Sequence, residues 1–297
     1  MSAAANDSPR TVLEFLQVTT AFLTGRGIDG ARLDAELLLA EALCMTRTQL
    51  YTNFERPLGA AEIDRYRELV RRRAAREPVA YITGRREFWS MEFAVDRRVL
   101  IPRPETELLV ELAVEELKAR AGGSGGGRLK VADIGTGSGA IAIAIAKEIE
   151  KADVIATDLS QAALEVAPVN AERHGVAARI QFRAGNLCEP LAGDGPFDVI
   201  VSNPPYLRRR EMAEIAPEVR EWEPRRALDS GRDGMDATAP LVDAAYGLLA
   251  PGASLWVEVG TQADSVRDAF VARGYDAVRT RLDLAGIIRA VGGRRSA

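Results

Sequence analysis

Residues 129–146 read LKVADIGTGSGAIAIAIA, and no other stretch limits the possible folds as narrowly. A short apolar strand runs into glycines at 135, 137 and 139, and a helix opens directly behind them. Glycine lets the backbone turn tightly and lets a ligand approach it, while the helix start offers unpaired amides. The alternation then repeats. Strands are expected near 129–134, 153–157, 179–183, 197–202 and 253–259, with weaker ones near 275–281 and 286–291; helices are expected near 139–149, 160–173, 235–249 and 263–273. Strands alternating with helices of this length build right-handed βαβ units and a parallel sheet covered on both faces. The fold class is therefore α/β, a doubly wound and mostly parallel seven-stranded sheet whose ligands sit at the carboxyl ends of the strands.

Upstream the texture differs. Residues 10 to about 76 carry only helical patterns. Val12, Phe15, Leu16, Thr19 and Leu23 form one stripe, Leu33, Leu37, Leu38 and Ala42 a second, and Ile63, Tyr66, Leu69 and Val70 a third, with a row of arginines pointing outward. Short helices with short connectors imply a small bundle over 1–78. Residues 79–103 read as an extended linker in which Tyr81, Phe88, Trp89, Phe93 and Val95 fit short hairpin strands ended by Pro102 and Pro104. The α/β domain takes 104–297, beginning with a helix through ETELLVELAVEELKARA and a loop at GGSGGG, 122–127.

Composition narrows the function classes. The chain has 297 residues, 47% hydrophobic and 28% charged, with a formal net charge of −4. Nothing in that balance supplies a field for nucleic acid or an acidic membrane. The apolar run at 140–146 falls far short of the roughly 20 residues of a membrane-spanning helix. MSAAANDSPR carries no basic or apolar leader pattern, so a cytoplasmic location is expected. Cys44 and Cys188 have no partner at metal-ligand spacing, and His174 is the one histidine, so neither a metal site nor Ser-His-Asp chemistry is expected. His174 precedes Gly175 and reads as a helix end.

Asp158 follows Gly139 by 19 residues, at the end of the second strand, where a carboxylate accepts from ribose hydroxyls. Nicotinamide dinucleotides and S-adenosylmethionine both satisfy this loop. After the third strand, Asn186 could meet an adenine edge and Leu187 cover its face. The fourth strand ends in VSNPPYL, 201–207, where two successive prolines fix the backbone. Such stiffness suits a clamp for a planar NH₂ group. The Asn203 side-chain carbonyl and the Pro204 backbone carbonyl each accept one N–H, and Tyr206 stacks on the flat face. No general base is strictly needed, because the N–H becomes acidic as the nitrogen gains its methyl group. A dehydrogenase has no use for this clamp.

Taken with LDAELLLAEAL, EPVAYITGRREFWS, LIPRPETE, EPRRALDSGRDGMD, WVEVGTQ and DLAGIIRAV, these pieces make the chain similar to the HemK/PrmC family over nearly its whole length. Those enzymes use S-adenosylmethionine to methylate the glutamine of the GGQ tripeptide in peptide chain release factors, releasing S-adenosylhomocysteine. The resemblance implies the class I S-adenosylmethionine methyltransferase fold and a helical N-terminal domain that docks the release factor. It implies that Gly135, Thr136, Gly137, Ser138, Gly139 and Asp158 bind the cofactor, with Asn186, Leu187 and Asn203 beside it. Position 186 is Asn where the family frequently has an acidic residue. Asn203, Pro204, Pro205 and Tyr206 are implied as the glutamine site, with Asn203, Pro204 and Tyr206 the catalytic set. Arg103 and Glu105 would lie at the mouth, with Arg103 among the substrate contacts. Arg71 to Arg76 and Arg208 to Arg210 are candidate docking charges. A monomer is expected, with methyl transfer by in-line displacement. Two other readings share parts of the pattern: an adenine-amine methyltransferase of DNA or RNA, and a factor-binding protein without turnover.

Overall fold

The computed structural model of the chain describes residues 11–121 and 127–297; the start of the chain and all but the last residue of GGSGGG lie outside the described residues. Two compact units result, one running to Gly84 and taking in Pro217–Trp222, the other formed by Arg85–Ala216 and Glu223–Ala297.

The first unit holds helices α1 (Val12–Thr24), α2 (Ala31–Leu43), α3 (Arg47–Tyr51), α4 (Ala60–Ala74) and α5 (Val79–Thr83). α1 begins where the Thr11 hydroxyl accepts from the Glu14 amide and the Glu14 carboxylate accepts from the Thr11 amide at 2.8 Å, two otherwise orphaned donors satisfied together. Its stripe meets Leu38, Leu39 and Tyr66 in one core. The predicted stripe of α2 is shifted: Leu33 is 45% exposed, and Ala35, Leu38, Leu39 and Ala42 face inward instead. Their spacing matches one helical face better than Leu33 does. Beside them Glu36 is buried, accepting from Arg32 Nε at 2.6 Å, Arg47 Nη2 at 2.7 Å and Tyr51 Oη at 2.8 Å.

Of the α4 arginines, Arg65, Arg67 and Arg71 are exposed as expected, but Arg73 turns inward. Arg73 is 5% exposed and pairs with Asp34 at 2.6 Å and Glu218 at 2.9 Å. Arg72 pairs with Glu77, Arg76 with Glu218, and Arg71 with Glu68. Tyr81, expected in a strand, lies in α5, a helix of one turn too short to show a period. Val79 and Ile82 pack on the helical core, so this unit extends six residues past the predicted end at 78.

The second unit opens with a hairpin, β1 (Arg85–Phe88) and β2 (Met91–Ala94). Trp89 is in its turn, not its strand: Trp89 and Ser90 both have positive φ, 53° and 54°, as a two-residue hairpin turn of this hand requires. Trp89 is held there by its amide on Glu107 at 2.7 Å and its indole N–H on Glu148 at 2.9 Å. The remaining elements are α6 (Glu107–Ala121), β3 (Leu129–Ile134), α7 (Ala140–Glu148), β4 (Ala152–Asp158), α8 (Ala163–Arg173), β5 (Ile180–Ala184), β6 (Phe197–Ser202), α10 (Thr238–Leu248), β7 (Leu249–Glu258), α11 (Ala263–Arg273), β8 (Asp276–Leu282) and β9 (Ile288–Arg294), α9 being Pro217–Trp222 of the first unit.

The seven strands of the main sheet lie in the order β5-β4-β3-β6-β7-β9-β8. Neighbours from β5 to β7 are parallel, while β9 runs antiparallel to both β7 and β8. β7 begins at Leu249, four residues before the expected start, because its pairing with β6 shifts register between Phe197 and Val199 and so accommodates Pro251 and Gly252. β3 and β6 are nearly continuous buried runs, as a sheet covered on both faces demands. Strand order reverses between β3 and β6, so the loops after them diverge and open a crevice at their carboxyl ends.

Candidate active site

A cavity of about 430 Å³ occupies that crevice. Its floor is the glycine loop. The amides of Gly135 and Thr136 both donate to Thr157 O, at 2.8 and 2.9 Å, which ties the loop to the end of β4. Gly139 caps α7 with φ 83°, and a methyl group there would meet Ile143 Cδ1 at 3.0 Å and Ala167 Cβ at 3.2 Å. Only glycine lets the turn and the approach of α8 coexist.

Asp158 ends β4 on the cavity wall. Its Oδ2 accepts from the Gly137 amide and its Oδ1 from the Ser160 amide, both at 2.8 Å. Each oxygen keeps a second lone pair for a hydroxyl. Burial raises its pKa, opposed by those amides and by the Arg226 guanidinium. Below the loop, Asp133 is fully buried and accepts from Thr136 Oγ1 at 2.7 Å and the Ala142 amide at 3.1 Å. Desolvation pushes its pKa up to about 7.

After β5, Asn186 and Leu187 also line the cavity. Leu187 has φ 47°, an uncommon setting for its side chain, and its carbonyl accepts from Thr157 Oγ1 at 3.3 Å. Asn186 is exposed, with Nδ2 donating to Glu189 at 3.4 Å.

β6 delivers Asn203, Pro204 and Pro205 to the opposite wall. The Asn203 backbone is close to the glycine loop: a methyl group on Gly135 would lie 3.8 Å from its main-chain carbonyl oxygen. Its side-chain Nδ2 donates to Thr106 Oγ1 at 3.2 Å, and Thr106 in turn donates to Glu258 Oε2 at 2.6 Å. Oδ1 of Asn203 accepts no hydrogen bond from a described residue, while Asn203 itself borders the cavity. Tyr206 stands one step beyond the wall. Its ring packs on Gly260, where an added methyl would meet Cδ2 at 2.9 Å, and burial pushes its phenol up to about 12.

Arg103 lines the cavity and is held by Glu223, which also accepts from the Ile101 amide at 3.1 Å. Glu105 is exposed. In the 208–210 run, Arg208 bonds Asp233 O at 3.3 Å, Arg209 lies 3.7 Å from Asp229, and Arg210 is exposed. His174 caps α8, as its sequence context suggests, and its ring lies 5.1 Å from that of Phe93, tilted by 44°.

Four contributors escaped the sequence reading. Glu258 and Asp133 are single acids inside apolar strand ends, VEV and ADI, a pattern that flags a buried carboxylate. Asn170 interrupts the inward stripe Val166, Ala167, Ala171 of α8. It donates to Ser138 O at 2.9 Å and exchanges two bonds with Ala94, joining β2 to the glycine loop. Thr106 has no such signal, because its partners are distant in sequence.

Residues 14–84 match the PrmC N-terminal domain and residues 106–221 the Methyltransferase small domain. Fold and site together thus define a methyltransferase of the doubly wound class. A release factor glutamine methyltransferase from Geobacter sulfurreducens is 45% identical over 285 residues, 96% of this chain and 96% of that one. One from Rhodopirellula baltica is 42% identical over 288 residues, 96% of this chain and 97% of its own. The solved protein-(glutamine-N5) methyltransferase (release factor-specific) of Alicyclobacillus acidocaldarius is 31% identical and covers 69% of this chain and all of its own, with a TM-score of 0.40. By its sequence relatives this chain belongs to the release factor glutamine methyltransferase family.

Proposed function

We propose that the cavity binds S-adenosylmethionine and that the chain uses it to methylate the side-chain amide nitrogen of the glutamine in the GGQ tripeptide of peptide chain release factors. The observation that carries this reading is one cavity lined by Asn203, with an uncommitted Oδ1, by the glycine loop and by Asp158. The cofactor fits the residues present. A volume of about 430 Å³ lies in the range of ligand pockets, roughly 300 to 1,000 Å³. Asp158 has lone pairs for ribose hydroxyls, Asn186 and Leu187 offer a polar edge and an apolar face, and residues 135–138 line the cavity where a ligand could meet the backbone. Bound there, S-adenosylmethionine supplies an electrophilic methyl group on sulfur.

The chain's own residues then position the nucleophile. A glutamine amide is planar and poorly nucleophilic, so its nitrogen must be held toward the methyl group. Asn203 Oδ1 and Pro204 O each accept one of its two N–H groups, and the double proline keeps those acceptors at a fixed angle. Both acceptors strengthen their hold as the nitrogen becomes positive during transfer, which is stabilisation realised in the transition state. Tyr206, braced on Gly260, forms the flat side of the clamp. Arg103 sits at the entrance, fixed by Glu223. The helical unit supplies release-factor docking, and the reaction is cytoplasmic, in translation termination.

Incubation with methyl-labelled donor and either purified release factor or nucleic acid tests the assignment. Label is expected on the release factor; label on adenine overturns the amide reading, and no label on either overturns the assignment as an enzyme.

A further inference from the structure

An asparagine serves an NH₂ substrate in one of its two amide orientations. With Oδ1 toward the cavity it accepts; with the amide reversed, N–H faces N–H and the clamp is lost. Oxygen and NH₂ have nearly the same shape, so hydrogen bonds must make the choice. Two residues from different elements do so. Thr106, in the turn before α6, is 5% exposed, and Glu258, at the end of β7, is 2% exposed. A threonine hydroxyl has one proton. Once it is donated to Glu258 Oε2, at 2.6 Å, only lone pairs remain for Asn203, and a lone pair can receive only the NH₂ end, which stands 3.2 Å away.

We propose that Thr106 and Glu258 are positioning residues that lock the Asn203 amide in its acceptor orientation, the ionised Glu258 carboxylate setting the direction of the whole chain of hydrogen bonds. The inference rests on the amide methylation proposed above. It also makes the site responsive to pH. A protonated Glu258 donates to Thr106, the Thr106 proton turns to Asn203 Oδ1, and the acceptor is consumed. Burial raises the Glu258 pKa to about 7, with Thr106, Arg289 and Arg103 pulling it down and Glu105 pushing it up. Tyr206 also faces this carboxylate and stays neutral, its own pKa being about 12. As pH falls through about 7, kcat therefore falls.

Thr106→Val keeps the side chain's shape and removes its proton, whereas Thr106→Ser keeps the hydroxyl. With release factor as substrate, Thr106→Val is expected to lower kcat about tenfold with KM and cofactor affinity within about twofold, and Thr106→Ser to recover most of the loss. Glu258→Gln is expected to remove the acid limb of the kcat profile. A Thr106→Val kcat within about twofold of wild type, or an acid limb that survives Glu258→Gln, overturns the relay. Wild-type protein that transfers nothing to release factor refutes the proposed function instead. The relay is then read without turnover, from solvent exchange of the isotope-labelled Asn203 side-chain amide in the folded wild type and Thr106→Ser proteins against Thr106→Val. Faster exchange in Thr106→Val alone supports it, and equal rates in all three overturn it.

Discussion

Asn203→Ala removes one of two acceptors and leaves the glycine loop untouched. Methyl transfer should fall about a hundredfold or more while the dissociation constant for S-adenosylmethionine, measured by calorimetry, stays within about threefold. Loss of cofactor affinity instead would mean that the division of roles is wrong. Asp133 offers a different test. Its carboxyl is raised to about 7 in the folded chain from an ordinary 3.8, so the folded state holds a proton that the unfolded chain releases. That contribution is fully present below about 3.8 and is lost as pH rises to about 7, at about 1.4 kcal/mol per pH unit. Asp133→Asn does not titrate, so its stability relative to wild type should climb between pH 5 and 7 in denaturant titrations. A flat difference contradicts the buried, proton-holding state. At this scale the contiguous strings of the cavity lining, Gly135 to Ser138 and Asn203 to Pro205, are legible in the sequence because each is one short run. Thr106 and Glu258 are not, since they meet across 152 positions through the packing of the turn before α6 against the end of β7.

Elements place those strings. The strand and helix rhythm foretold β3 to β6 and α11 closely, because buried parallel strands and amphipathic helices write their periods plainly. It failed where tertiary context decides. Trp89 has strand propensity but occupies a left-handed turn held by Glu107 and Glu148, and β7 starts early behind a register shift. Asn170 shows how one polar side chain couples two elements, binding Ala94 on β2 and Ser138 in the glycine loop. Asn170→Leu leaves these backbone groups unpaired in a buried site. A stability loss of about 2–4 kcal/mol is expected in chemical denaturation, accompanied by weaker cofactor binding. If stability falls and cofactor affinity does not, Asn170 holds the hairpin without shaping the loop.

Across the whole chain, the helical unit depends on a charge cluster that the arginine pattern of α4 disguised as surface. Arg73 is buried between Asp34 and Glu218, so it joins α2, α4 and α9 within that unit. Arg73→Met strands Asp34 and leaves Glu218 with Arg76 alone, and should cost about 3–5 kcal/mol, seen as a lower unfolding midpoint for the helical unit. An unchanged midpoint would return Arg73 to the solvated face that its sequence context suggests. Wild-type chain, release factor and S-adenosylmethionine are incubated together, and the peptide carrying the GGQ tripeptide is fragmented in a mass spectrometer. The expected result is one added methyl group on the side-chain amide of that glutamine, absent with Asn203→Ala; a methyl group on any other residue, or an equal yield from the variant, contradicts the account.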